Sequence, residues 1–367
     1  MSDHRRIRSL GVEREGQPYF FEYDEAPPQD GEVRLDGLFS GFSAGTELTF
    51  LKQSNPFFHA SWDGERNLFR EGEPSLRYPV PFLGYMEVAR VRESRNEAFV
   101  EGQILATTFA HKTGHIANPS QDLLLPVPQD IDPILGIFIA QMGPIAANGI
   151  LHADAELFGP RAARLGQGVA GRPVLVFGAG TVGFLTALFA VRSGAAAVVI
   201  ADPSEFRRRK AETLGITAMT EAQAVQHAKS LWHHGGADRG ADFVFQTRAD
   251  PHSLGNALRA LRPQGTVIDL AFYQGGAEAV RLGEEFHHNG LAVRSAQISR
   301  MPRGLSHNWD RRRLALETIE LLQLFGAEIR SELITHVTPI EDAPAFLRQL
   351  IAERPEFVQI VFQVGQP

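Results

Sequence analysis

The feature that most constrains this chain is the run VLVFGAGTVGFLTALFAV at positions 174–191. At ~1.5 Å per residue it could approach the thickness of a bilayer, but Gly178, Gly180 and Gly183 break it into a strand, a turn and a helix. A second apolar run, AVVIAD, ends at Asp202, and 202 − 183 = 19 residues separate this acid from the third glycine. That spacing is near the ~20 expected of a βαβ unit that binds a dinucleotide. Each position then has a physical task. Gly178 permits the tight turn, Gly180 lets the backbone approach a pyrophosphate, and Gly183 allows close helix–strand packing. Thr181 and Val182 open the helix, whose free N–H groups and dipole favour negative charge. Asp202 would accept hydrogen bonds from a ribose hydroxyl and repel a 2′-phosphate, which points to NAD. Arg207 keeps NADP open, since a nearby guanidinium can pair with the extra phosphate. A helix–sheet packing motif without ligand is the plain alternative.

The rest of the chain fits around this unit. Its 367 residues allow about two domains. Before position 140 there are short apolar segments at 18–23, 32–39, 87–92 and 103–109, punctuated by turn residues, the pattern of a small all-β barrel. Residues 134–151 read as one long apolar helix or two short ones. From Gly171 onward, strands at 173–177, 197–201, 241–245 and 265–271, with a further one at 291–298, alternate with helix-length segments, which implies a doubly wound parallel sheet. A helical stretch at 309–325, a strand at 334–337, a helix at 343–351 and a strand at 357–364 suggest that the chain returns to the first domain. The net charge of −7 gives no general reason to bind nucleic acid or anionic lipid. The absence of cysteine excludes disulfides, thiolate metal sites and cysteine nucleophiles. The charged N-terminus MSDHRRIRSL has no apolar leader region, so a cytoplasmic location is expected.

With these parts in place the sequence resembles a medium-chain dehydrogenase/reductase over nearly its whole length. The similar segments are SGFSAGTE at 40–47, PFLGYMEVARV at 81–91, the nucleotide-binding unit, and the return ITHVTPIEDAPAFLRQL. The run ADPSEFRRRKAETLG is similar to the ribose-binding segment of the threonine and polyol dehydrogenase branch, which assigns Asp202 and Arg207 to the adenosine ribose. The resemblance implies a GroES-like catalytic domain at 1–143 and 306–367, a Rossmann domain at 144–305, and a homodimer or homotetramer formed through the sheet edge near 291–298. It also implies that Ala271 and Phe272 meet the nicotinamide carboxamide. The positions that hold zinc in metal-dependent members match Ser43, Tyr85 and Met142 here, and the cysteine-rich structural-zinc lobe is missing. A serine, a phenol and a thioether do not make a catalytic zinc site, so the chain resembles the zinc-lacking branch and no metal is expected.

Without a metal, hydrogen-bond donors or a cation must stabilise the substrate oxygen. Tyr85 could donate to it, with a neighbouring ammonium lowering its pKa, or simply fill the vacated space. Ser43 could orient the same oxygen or bond only to backbone. Glu47 could bind polar substrate groups, orient a neighbour, or stabilise a turn. In His111-Lys112-Thr-Gly-His115, Lys112 could be the cation and His111 a proton relay, the alternatives being an ordinary loop or a metal pair, which Gly114 disfavours by breaking the helical i, i+4 spacing. His59, Trp62 and Arg66 lie in an insertion at 52–78 that could cover a pocket. The pairs His233-His234 and His287-His288 read as surface residues. Together these readings predict an NAD(H)-dependent, zinc-independent oxidoreductase that interconverts an alcohol, sugar- or polyol-like, and a carbonyl. The competing expectations are an NAD(P)H-dependent enoyl or quinone reductase and a non-catalytic dinucleotide sensor.

Overall fold

The computed structural model describes residues 4–366 and divides the chain into two units, one of residues up to Gln141 and from His336 onward, the other Met142–Thr335. In the first unit, Arg5–Arg14 and Gln17–Glu25 form an antiparallel hairpin. A seven-stranded sheet runs in the order Ile334–Pro339, Gln359–Gln363, Val33–Phe42, Glu87–Ser94, Ile104–Thr107 and Leu125–Pro126, with Gly114–Ala117 also paired to Val33–Phe42. The strand Val33–Phe42 divides one edge between two partners, residues 33–36 pairing with 114–117 and residues 39–42 with 360–363. Gly37 sits at the change-over. A Cβ there would lie 2.6 Å from the Lys112 carbonyl, so only glycine lets the two chains approach. A strand that changes partner bends its sheet around a core. That core contains Leu10, Val12, Phe42, Leu51, Ile360 and Phe362, closed by Leu347 and Leu350 of the helix Ala343–Glu353.

In the second unit six parallel strands lie in the order Thr217–Met219, Ala197–Ala201, Pro173–Phe177, Ala241–Gln246, Leu261–Asp269 and Ala292–Ser295. In chain order this is 3-2-1-4-5-6, the Rossmann arrangement, with its direction reversing between Pro173–Phe177 and Ala241–Gln246. The apolar run that opened the sequence analysis becomes the central strand and the helix Thr181–Arg192. Among the described residues no helix is long and apolar enough to cross a membrane.

Of the two readings of 134–151, the structure has two elements, a 3₁₀ turn Pro133–Phe138 and a helix Met142–Phe158. Two expectations need adjustment. The sheet has a strand at Thr217–Met219 that was not foreseen, because three partly exposed residues carry no periodic signal of their own. The chain returns to the first unit at His336 rather than 306. The helix Arg311–Glu328 belongs to the second unit, where it packs on Met142–Phe158 and buries Leu314, Leu321 and Leu322.

Candidate functional site

In the first unit a short helix, Ala44–Leu51, begins at Ser43, and the serine does not cap it. Its hydroxyl instead bonds the phenol of Tyr85, which also donates to Thr46 Oγ1 at 3.2 Å. The Ser43 amide is satisfied by the helix's own acid, donating to Glu47 Oε1 at 2.7 Å. Glu47 Oε2 lies 2.7 Å from His111 Nε2, and His111 Nδ1 lies 2.5 Å from Ser40 Oγ. The Ser40 hydroxyl is also 3.3 Å from the carbonyl oxygen of Met86. Glu47 is 1% exposed and His111 and Ser40 are fully buried. Gly84, at φ +94°, seats the imidazole, since a Cβ there would come within 2.7 Å of the His111 ring. The structure therefore brings Ser43, Tyr85, Glu47 and His111 together as the sequence suggests. Ser40 and Thr46 join them. Sequence reasoning missed both, although both lie inside the motif at 40–47.

Burial raises the Tyr85 pKa, and the negative charge of Glu47 adds to this against the hydrogen bonds of Ser43 and Thr46. The phenol is thus a neutral donor at ordinary pH. The expectation that a nearby ammonium would lower this pKa does not hold. Lys112 packs away from that phenol, 4.3 Å above the Phe82 ring and 5.6 Å from the Tyr23 ring centroid. Its ammonium donates to Tyr23 OH at 3.4 Å, and burial lowers its pKa against the attraction of Glu87 and Glu25. On that side Glu87 is fully buried with its pKa pushed up to about 8, and Thr107 donates to it at 2.6 Å. His115 lies 3.6 Å from the same carboxylate and packs on Phe109. Lys112 and His115 belong to this second polar cluster and not to the Ser43–Tyr85 pair.

The insertion 52–78 carries a hairpin, Ala60–Asp63 with Leu68–Glu71, in which Trp62 pairs with Phe69. His59 and Trp62 are exposed. The Arg66 guanidinium is taken by Asp63 at 2.9 Å, so its place is in the turn of this hairpin. The four histidines 233, 234, 287 and 288 are exposed, as expected. Met142, the third position matched to a zinc ligand, is buried at the start of its helix in the second unit. Among the described residues no three His, Cys, Asp or Glu side chains gather as a metal cluster.

In the second unit the glycine motif lies at the topological reversal of the sheet, the crevice in which such folds bind ligands. Gly178 has φ +100°, and a Cβ on Gly183 would fall 1.8 Å from the Gly178 carbonyl oxygen. Gly180, the residue before the helix, has nothing within 4 Å of its Cβ position. Gly178 and Gly183 are thus fixed by backbone conformation and packing, whereas Gly180 borders open space. Asp202 is 2% exposed and receives the amides of Ala179 and Ser204, each at 2.8 Å. The Arg207 guanidinium is 3.9 Å from Asp202 Oδ2. Thr247, which follows the neighbouring strand, bonds the carbonyls of Phe177 and Gly178 at 2.8 and 3.1 Å and braces the turn. Ala271 donates its amide to Asp269 at 2.9 Å, and Phe272 is 41% exposed. Asp269, buried at the end of its strand, has its pKa raised to about 6.

Comparison with known proteins agrees with this geometry. The family described as zinc-binding dehydrogenase matches residues 181–316. D-guloside 3-dehydrogenase of Escherichia coli K12 is 24% identical over 342 residues, covering 91% of this chain and 93% of that protein. L-threonine 3-dehydrogenase of Pyrococcus furiosus is 33% identical over 125 residues, 33% of this chain and 32% of its own. Among solved structures, L-idonate 5-dehydrogenase of Escherichia coli superposes with a TM-score of 0.71 at 15% identity, over 99% of both chains.

Proposed function

From the premise that the chain belongs to the medium-chain dehydrogenase/reductase superfamily and is an oxidoreductase, we propose that it interconverts a hydroxyl and a carbonyl group on a sugar- or polyol-like substrate, with NAD(H) and without zinc. The second unit holds the dinucleotide and the first unit the substrate. The observation that carries this reading is the Ser43–Tyr85 hydroxyl pair, at positions that the sequence resemblance matches to the metal ligands of zinc-dependent members. The donor set does not suit zinc. Two of the positions carry neutral hydroxyls, the third is a thioether, and the imidazole and carboxylate beside them, His111 and Glu47, are joined to each other. These residues do not suit the metal that the family's description names, which supports a reaction without zinc.

A bound nicotinamide supplies the hydride chemistry. In the carbonyl-reducing direction Tyr85 donates its hydrogen bond to the substrate oxygen, with the Ser43 hydroxyl beside it. As charge builds on that oxygen the phenol, kept protonated by burial, delivers the proton. In the second unit Gly178, Gly180, Thr181, Val182 and Gly183 take the pyrophosphate at the helix start. Asp202 and Arg207 take the adenosine ribose, and Ala271 and Phe272 meet the carboxamide. The name of the guloside relative supports a polyhydroxylated substrate. The exposed edge strand Ala292–Ser295 is the surface proposed for pairing with a second copy, and the location proposed is the cytoplasm.

The cofactor assignment is tested by Asp202→Ala. Loss of the carboxylate removes a ribose acceptor and the charge that repels a 2′-phosphate. The NAD/NADP preference, measured by titration of NADH and NADPH binding, is expected to fall by about tenfold or more, consistent with ~1.4 kcal/mol for one charge-assisted hydrogen bond. Unchanged selectivity would refute the ribose role.

A further inference from the structure

We propose that Ser40 is a positioning residue for this chemistry: through His111 and Glu47 it forms a buried clamp that fixes the spacing of the Ser43 and Tyr85 hydroxyls. The proposal rests on the donor reading given above and extends it to a residue that touches neither substrate nor cofactor. The connection runs from backbone to backbone. At one end Ser40 Oγ lies 3.3 Å from the carbonyl of Met86, the residue after Tyr85. At the other, Glu47 Oε1 accepts from the amide of Ser43 itself at 2.7 Å. Between them the imidazole of His111 spans 2.5 Å to Ser40 and 2.7 Å to Glu47. The network thus ties together the two backbone segments that present the hydroxyl pair.

The hydrogen bonds form an unbroken path. The Ser40 hydroxyl donates to the Met86 carbonyl, His111 Nδ1–H donates to Ser40 Oγ, and Nε2 shares a proton with Glu47 Oε2, while the other carboxylate oxygen takes the Ser43 amide. No polar atom along the path is left wanting. A fully satisfied buried network of this kind permits one arrangement of its surroundings and penalises others. Surrounding contacts hold the ring as well. Phe42 stacks on it at 6.5 Å, Phe362 meets it edge-on at 5.0 Å, and Gly84 leaves it room that no other residue would. Ser–His–Glu is also the order of a nucleophilic triad, but a Ser40 with no exposed surface cannot meet a substrate carbonyl. The remaining role is geometric.

The test is a double-mutant cycle on the purified full-length protein, assayed with NAD⁺ and the best-turned-over polyol or glycoside. Ser40→Ala deletes the link between His111 Nδ1 and the Met86 carbonyl and is expected to lower kcat about 10-fold or more, the scale of losses from small misplacement of reacting groups. KM and NADH affinity should change less than about twofold. In the Tyr85→Phe background the same change should alter kcat by less than about twofold, because the hydroxyl it positions is gone. Losses that multiply, or an unaltered kcat in Ser40→Ala, overturn the clamp. If Ser40→Ala fails to fold, Glu47→Gln replaces it in the same cycle with the same criteria. Amide exchange at Ser43 provides a reading independent of turnover, and it should quicken in either variant if the clamp holds that amide. Should Tyr85→Phe alone keep full activity, the donor assignment fails, and that result is read before the cycle is closed.

Discussion

Tyr85→Phe is expected to lower kcat/KM about 100-fold, or about 2.7 kcal/mol of transition-state stabilisation, while leaving NADH binding unchanged. The change removes one oxygen from a largely buried ring, so the packing survives and the missing group is the donor to the substrate oxygen. Ser43 and Thr46 lose their common partner, and a solvent molecule in its place would be neither fixed nor acidic enough to restore the rate. The pH dependence carries a second signature. Because burial raises the phenol's pKa above its ordinary ~10, Tyr85 remains protonated throughout the neutral range. Carbonyl reduction by the wild type should then show no alkaline loss from this group below about pH 10. A steep fall between pH 7 and 9 that disappears in Tyr85→Phe would mean that the phenol titrates there and that its surroundings have been misjudged.

Gly183→Ala and Gly180→Ala should separate the two tasks of the glycine motif. At Gly183 the added methyl would lie 1.8 Å from the Gly178 carbonyl oxygen and 2.9 Å from Thr247 Oγ1. The helix must move off the strand, an overpacking cost of typically 1–3 kcal/mol or more, so Tm should drop by about 5 °C or more and NADH affinity should fall with it. At Gly180 nothing protein-borne lies within 4 Å, and the backbone is extended. Gly180→Ala should therefore melt within about 2 °C of the wild type yet bind NADH at least about tenfold more weakly, since the methyl occupies the space where the pyrophosphate must approach. Wild-type affinity in Gly180→Ala would place the pyrophosphate elsewhere. Thermal scans and isothermal titration on both variants decide the matter.

The parallel sheet was legible because its main strands are apolar, β-branched runs between helix-length segments, a signal local to each run. Thr217–Met219 was not, since its identity as a strand comes from pairing with Ala197–Ala201 rather than from its own three residues. The amphipathic character of the 309–325 stretch was plain, but periodicity does not tell a helix which core to face, and the Arg311–Glu328 helix went to the second unit. At the site, the motifs at 40–47 and 81–91 marked Ser43, Glu47 and Tyr85, and the structure joins them. Lys112 adjoins His111 in sequence, but its ammonium packs on Phe82 while the imidazole joins Glu47. A serine in a strand carries no sequence sign of a buried role, and only the path Met86–Ser40–His111–Glu47–Ser43 gives Ser40 meaning. The polar group around Glu87 and His115 was likewise hidden, since burial is a property of the folded barrel and not of either residue's neighbours in sequence.

The central claim, hydride transfer between NAD(H) and a polyhydroxylated substrate without zinc, is tested most directly by one assay on metal-stripped protein. The enzyme is dialysed against a strong chelator, its metal content is measured by elemental analysis, and turnover is followed on a panel of polyols and glycosides with NAD⁺ and of enones and quinones with NADH. The account predicts undiminished oxidation of a polyol or glycoside at a metal content far below one per chain, with no gain on adding zinc. Activity that vanishes with the metal and returns with one zinc per chain would contradict it, as would turnover confined to enones or quinones.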